Sequence, residues 1–249
     1  MRRSVLSSLV LALLLTLAGG SRDRDGEDSS ADPGDTDALP ARPAVLVYYG
    51  HGGVGPEGLG GSMTHLDDVA LLEEASLRVD YTTAWPASFD AYRLAILPGP
   101  GANDVAVEFS AAERGLLRGV ATAGGVVVVE AEAGNVMNLG PLNDLVWDLG
   151  TKMVVEGVSV AGDTDGIGDH PLTDGVVSLG LDGATRVDPG DGACLATVGF
   201  DCVAAATAAG DGWIVVLGDG DLLSRLLSFT DEGHDNDLFL RRLAHLRAE

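Results

Sequence analysis

Leu94-Ala95-Ile96-Leu97, stopped by Pro98-Gly99-Pro100-Gly101, opens the stretch that decides the fold. Ser110-Ala111-Ala112-Glu113 follows as a capping-box helix start, and Leu116, Leu117 and Val120 supply the apolar positions of that helix. Gly124-Gly125 closes it, and Val126-Val127-Val128-Val129 reads as a strand apolar on both faces. Two strands joined through a helix form a right-handed βαβ unit, so the two are parallel and buried on both sides. The sequence therefore predicts an α/β domain, a flavodoxin-like, mostly parallel sheet flanked by helices.

Other elements extend this unit in both directions. Ala44 to Tyr49 and Arg78 to Thr83 read as earlier strands, with a helix predicted between them from about Thr64 to Leu77. Leu142 to Leu149 reads as a helix stopped by Gly150. Beyond it the pattern changes to short strands, at Met153 to Val155, Val158 to Val160, Val176 to Leu181, Ala193 to Val198 and Cys202 to Ala206. Gly and Asp punctuate them, which predicts a β-rich insertion or edge hairpin in the C-terminal half. Trp213 to Leu217 returns as a core strand. A last helix from about Asp235 to Arg247 places Leu238, Phe239, Leu243 and Leu246 on one face.

The chain has 249 residues, 46% of them hydrophobic, and a formal charge of -23 with Lys152 as its single lysine. That composition supports a substantial core. The acidity argues against phosphate backbones and anionic membrane surfaces, so no nucleic-acid partner is expected. Arg2-Arg3 followed by the apolar run Val5 to Leu17 has the layout of a secretory signal peptide, with cleavage expected after Gly20. The run is too short and wrongly flanked to remain as a stable membrane span. Gly stands where a lipoprotein would carry its lipidated Cys. Residues 21–42, rich in Asp, Ser, Gly and Pro, read as a disordered acidic linker, and residues 43–249 as the domain. The product is expected to be exported, either periplasmic or extracellular.

Several motifs carry chemistry on paper. Gly50-His51-Gly52-Gly53-Val54-Gly55 matches G-x-G-x-x-G directly after a strand. A dinucleotide site needs a helix opening at the third glycine, and Pro56 with a second Gly cluster delays it to about Thr64. The stretch reads instead as a loop over the carboxyl edge of the sheet, where open α/β sheets bind ligands, and His51 is a candidate contact. The histidines lack zinc spacing, and His170 before Pro171 reads as a turn residue. Asp163-x-Asp165 with Asp169, and Asp219-x-Asp221 with Asp235, have the oxygens for a hard cation. Capping of turns and helices is the preferred reading for both sets, and no metal or cofactor is expected.

Three later stretches, added to the opening motif, carry a family resemblance. They are His170-Pro171-Leu172-Thr173-Asp174-Gly175-Val176, Val215-Val216-Leu217-Gly218-Asp219-Gly220-Asp221 and Asp235-Asn236-Asp237-Leu238-Phe239-Leu240. Together the four resemble the class I glutamine amidotransferase-like superfamily. Within it they are similar to the branch without catalytic residues, which includes gliding-motility and intraflagellar-transport (GIFT) domains and bacterial secreted domains. In active members the turn after the fourth strand carries the nucleophilic cysteine. Here that turn is Glu130-Ala131-Glu132-Ala133-Gly134-Asn135, with neither Cys nor Ser. The late His-x-Glu pair of active members is replaced by Asp219-Gly220-Asp221. A thiolate attack on an amide requires that sulfur on that turn.

The resemblance thus implies a non-catalytic domain binding a small molecule or protein, with His51, Glu132, Asn135, Asp219, Asp221 and Asp235 as candidate ligand-edge residues. The alternative is a carboxylate-dependent hydrolase or sugar-processing domain like the trehalose-utilisation relatives, using Glu132, Asp219 and Asp221. Glu130 with Glu132 forms a further possible acid/base pair, against a solvated or capping role that is preferred. Cys194 and Cys202 are expected to pair in an oxidising compartment. A three-residue loop Thr197-Val198-Gly199 would face them directly across a hairpin. A two-residue loop Val198-Gly199 would set them on a diagonal.

Overall fold

The computed structural model describes residues 43–53, 72–73, 77–101, 108–131, 138–181, 183–220, 222–223 and 233–245. The predicted signal peptide and linker, most of the Thr64 to Leu77 helix, and Glu132, Asn135 and Asp221 lie outside them.

Strands β1 (Ala44–Tyr48), β2 (Arg78–Thr82), β3 (Tyr92–Leu97), β4 (Val126–Glu130) and β10 (Gly212–Leu217) form a parallel array. β9 (Asp201–Ala209), β8 (Ala193–Val198) and β6 (Gly166–Ile167) continue the same sheet antiparallel, giving the order β2-β1-β3-β4-β10-β9-β8-β6. β5 (Val154–Val160) and β7 (Ala184–Asp188) pair as a separate antiparallel ribbon. The chain is an α/β fold with its parallel strands on one side of the sheet, its antiparallel strands on the other, and its β-rich part in the C-terminal half, as the sequence predicts.

The alternation of side chains along each strand builds two cores. Leu46, Ala95, Leu97, Val127, Val129, Ile214 and Val216 face α1 (Ala111–Thr122) and α2 (Leu139–Asp148), packing with Leu117, Val120, Leu142 and Val146. Val45, Val47, Leu94, Ile96, Val126, Val128, Val215 and Leu217 face the other way, against Phe239, Leu240 and Leu243 of α3 (Asn236–His245). All five residues of β4 are buried, which is why that run carries no polar alternation. α1 starts on the expected capping box. Glu113 N–H donates to Ser110 Oγ at 3.2 Å, and Ser110 N–H donates to Glu113 Oε2 at 2.6 Å. Gly124, at φ +86°, ends the helix in the left-handed conformation that glycine permits.

Three expectations about elements need correction. α2 begins three residues earlier than expected, because Pro141 falls in its first turn, where no intrahelical N–H is required. Met153 to Val155 and Val158 to Val160 are one strand rather than two. Gly157 at φ +71° kinks it, and its ladder with β7 shifts register between Val155 and Ser159.

The third correction is Val176 to Leu181, which forms no strand. Its five consecutive amides from Val177 to Leu181 donate to side chains instead of a neighbouring strand. Val177 and Ser178 bind Asp235 Oδ2 at 2.8 and 3.4 Å, and Leu179 binds Thr164 Oγ1 at 2.7 Å. Gly180 binds Asn236 Oδ1 at 2.9 Å and Leu181 binds Asp163 Oδ1 at 3.3 Å. The demand of these amides is met, by a different kind of partner.

Cys194 and Cys202 are joined in a disulfide with Cα atoms 5.9 Å apart. The hairpin differs from both loops considered. Its turn is Gly199-Phe200, with Val198 opposite Asp201 and Thr197 opposite Cys202. Gly199 takes the left-handed position at φ +61°, and register shifts on either side of Ala196 absorb the difference.

Candidate functional site at the carboxyl edge

β1 ends at Tyr48, and the chain then turns over the carboxyl end of the parallel strands. Gly53 N–H closes that turn on Gly50 O at 3.1 Å. His51 holds φ 54°, a left-handed conformation uncommon for a residue with a side chain. Its carbonyl accepts from Gly101 N–H at 3.1 Å, so the loop is fixed to the Pro-Gly-Pro-Gly turn after β3. The glycines of the G-x-G-x-x-G pattern serve this packing. A Cβ at Gly50 would collide with the Tyr48 hydroxyl, and one at Gly53 would lie 2.8 Å from the Pro98 carbonyl.

The fixed loop sets His51 among aromatic rings. Its imidazole stacks on Phe109 with centroids 4.2 Å apart and 17° between planes. Trp85 stands edge-on to Tyr48 at 4.6 Å, and Phe89 lies 5.1 Å from Trp85. Tyr48 Oη lies 2.8 Å from His51 Nδ1. Burial, and then the Glu113 carboxylate, raise the Tyr48 pKa above its ordinary value. Tyr48 thus stays protonated, the imidazole tautomer sets which partner donates in this bond, and the second ring nitrogen, Nε2, lies outside it. That nitrogen faces Glu113 Oε1 at 3.7 Å, too far for a direct hydrogen bond. Glu113 Oε2 remains occupied with the α1 cap. The two side chains are 21% and 19% exposed, so solvent or a ligand reaches the gap between them.

The other candidates fall elsewhere. Glu130 ends β4 fully buried, in register with Leu217, so it is neither the solvated carboxylate expected nor a surface acid. Asp219, two residues past Leu217, is also fully buried. Its carbonyl accepts from Leu222 N–H at 3.3 Å. Asp235 precedes α3, on the opposite face from the His51 rings, and its carboxylate caps the Val177 and Ser178 amides. Asp163 and Asp165 likewise accept from backbone, Leu181 N–H and Gly199 N–H. Asp163, Asp165 and Asp235 thus act as turn and segment caps.

His170 is a turn residue. Its Nδ1 accepts from Leu172 N–H at 3.2 Å, and its ring stands edge-on to Trp213 at 4.4 Å. Burial lowers its pKa below the ordinary histidine value. A group depressed in the folded state contributes stability in full above its unfolded pKa of about 6.5. That contribution is lost as pH falls through the lowered native value. The urea midpoint should therefore fall between pH 7.5 and 5 by more in the parent chain than in His170→Gln. Equal slopes for the two proteins would contradict the assignment.

Sequence reading missed Tyr48, Trp85 and Phe109, and saw Glu113 only as a cap. The available signal was scarcity. Aromatic residues make up 5% of the chain, yet Tyr48, Trp85, Phe89, Tyr92 and Phe109 gather in one core.

No protein-family model matches the chain, and no curated protein sequence matches it. Solved structures share its fold. The mmIFT52 N-terminal domain superposes with a TM-score of 0.57 at 15% identity, covering 80% of this chain and 93% of that one. Cytoplasmic Protein STM3548 from Salmonella typhimurium gives 0.57 at 12% identity, over 83% of this chain and all (100%) of that one. Exo-beta-1,4-mannosidase Op5Man5 from Opitutaceae bacterium strain TAV5 gives 0.52 at 15%, over 85% of this chain and 37% of the enzyme. The chain thus spans little more than a third of that mannosidase, and at these identities the likeness is one of fold.

Proposed function

We propose that this chain is an exported, non-catalytic α/β domain that binds a small molecule or protein at the carboxyl edge of its sheet. We assign it to the catalytically degenerate branch of the class I glutamine amidotransferase-like superfamily. The likeness of fold to the mmIFT52 N-terminal domain supports that assignment. Residues 1–20 act as the signal peptide, 21–42 as a linker and 43–249 as the domain.

One observation carries the non-catalytic reading. The chain has two cysteines, and they are bonded to each other in the β8–β9 hairpin, away from the turn that follows β4. No thiol remains to attack an amide carbonyl. The same bond supports export, because such disulfides persist in oxidising compartments. Among the described residues no helix is long and apolar enough to cross a membrane. The binding half of the proposal rests on His51, whose Nε2 and the facing Glu113 carboxylate present two polar groups beside aromatic walls.

The rival reading, a carboxylate-dependent hydrolase, rests on Glu132, Asp219 and Asp221. Of these, Asp219 is among the described residues and is fully buried. That environment suits a structural carboxylate better than one exchanging protons with substrate.

The purified oxidised chain is expected to release no ammonia from glutamine above the buffer rate. Release that disappears on substituting Cys194 or Cys202 would overturn the non-catalytic assignment.

A further inference from the structure

Beside Phe109, a groove of about 490 Å³ runs between the start of α1 and α2. Glu108, Arg114, Asp144, Trp147 and Asp148 line it, with Phe109 in its wall. Trp147 is 52% exposed, against the usual burial of so large an apolar ring. It is not loose. Its Nε1–H donates to Met153 O at 3.0 Å, which fixes the plane of the indole and leaves ring surface open to the groove.

The charges around that ring do not cancel. Arg114 is committed, with Nε 3.1 Å from Asp148 Oδ2 and Nη1 donating to the Phe109 carbonyl. Glu108 and Asp144 make no ion pair among the described residues. α2 also points its negative end here. Asp148 stands in its last turn, which has no basic residue of its own, and Arg114 is the cation that meets it. A tethered, exposed indole beside Glu108 and Asp144, which no described cation pairs, is complementary to a positive charge that carries apolar surface. An anion is repelled there, and a neutral sugar leaves the carboxylates without a counter-charge.

We propose that this groove is a second binding site, for an organic cation whose guanidinium or alkylammonium head meets Asp144 and Glu108 while its stem lies on Trp147. The site is independent of the carboxyl-edge reading and shares Phe109 alone with it. The same head group belongs to a free amine and to the side chain of a basic peptide.

The test titrates the full-length chain with agmatine, with a tri-arginine peptide and with cellobiose as a neutral probe, by calorimetry at two salt concentrations. Saturable binding of a cation is expected, weakened by added salt. Trp147→Ala should weaken it about five-fold or more, and Trp147→Phe less. Asp144→Asn, an exposed change that spares the fold, should weaken it about three-fold or more. Agmatine binding would identify a small-molecule site, and response to the peptide alone would identify a basic protein partner. Absence of cation binding up to about 10 mM would overturn the proposal, as would binding indifferent to Asp144→Asn, or cellobiose binding as tightly as the cations.

Discussion

Asn236→Ala is expected to lower the unfolding free energy by about 3 kcal/mol or more, although the side chain touches no ligand. Asn236 is fully buried at the start of α3. Its Oδ1 accepts from Gly180 N–H at 2.9 Å, and its Nδ2 donates to Gly180 O at 2.9 Å and Leu222 O at 2.6 Å. One amide thus satisfies three buried backbone groups from two distant segments. Removing it leaves all three unpaired, at about 1 to 3 kcal/mol for each unsatisfied group. Asn236→Asp keeps the acceptor for Gly180 N–H, loses both donated bonds and buries a charge, so it should also destabilise strongly. Urea unfolding checks both, as a lower midpoint with unchanged slope. A loss below about 1 kcal/mol for Asn236→Ala would show that water or relaxed backbone replaces the amide.

The second large effect belongs to the disulfide. Replacing Cys194 and Cys202 together by Ala should cost about 2 to 3 kcal/mol, the loop-entropy value for so short a ring. The bond braces β8 against β9 at the antiparallel side of the sheet, far along the strand order from β1 and β3. The double variant should therefore keep its far-UV circular dichroism while its urea midpoint falls. Alkylation before any reductant should leave both sulfurs of the oxidised parent chain unmodified, and labelling of both would contradict the pairing.

The parts of the fold legible in the sequence are those whose information is local. β3, α1 and β4 are specified within one continuous stretch by a capping box, a closing Gly124 and a Val run apolar on both faces. Val176 to Leu181 has the apolar residues of a strand, and its real partners lie far off. Asp235 and Asn236 act across separations of 56 to 58 residues. No periodicity reports such partners. The hairpin turn was ambiguous because a left-handed Gly199 suits several loop lengths, and pairing strength along β8 and β9 selects among them.

The candidate site was legible only at His51. Its neighbours come from the end of β1, the loop after β2 and the residue before the α1 cap. Each is unremarkable in its own segment, and topology brings them together. The acids that attracted attention by their spacing mostly serve the backbone. Asp163, Asp165 and Asp235 each accept from amides of other segments.

The central claim is that the carboxyl edge binds without transforming. Its most direct test is a thermal-shift screen of the full-length chain against sugars, nucleotides and divalent cations, followed by mass spectrometry of each hit after incubation. The account predicts a ligand that raises the melting temperature of the parent chain, fails to do so for His51→Ala, and is recovered chemically unchanged. A ligand recovered as product, or one whose stabilisation is the same in His51→Ala, would contradict it.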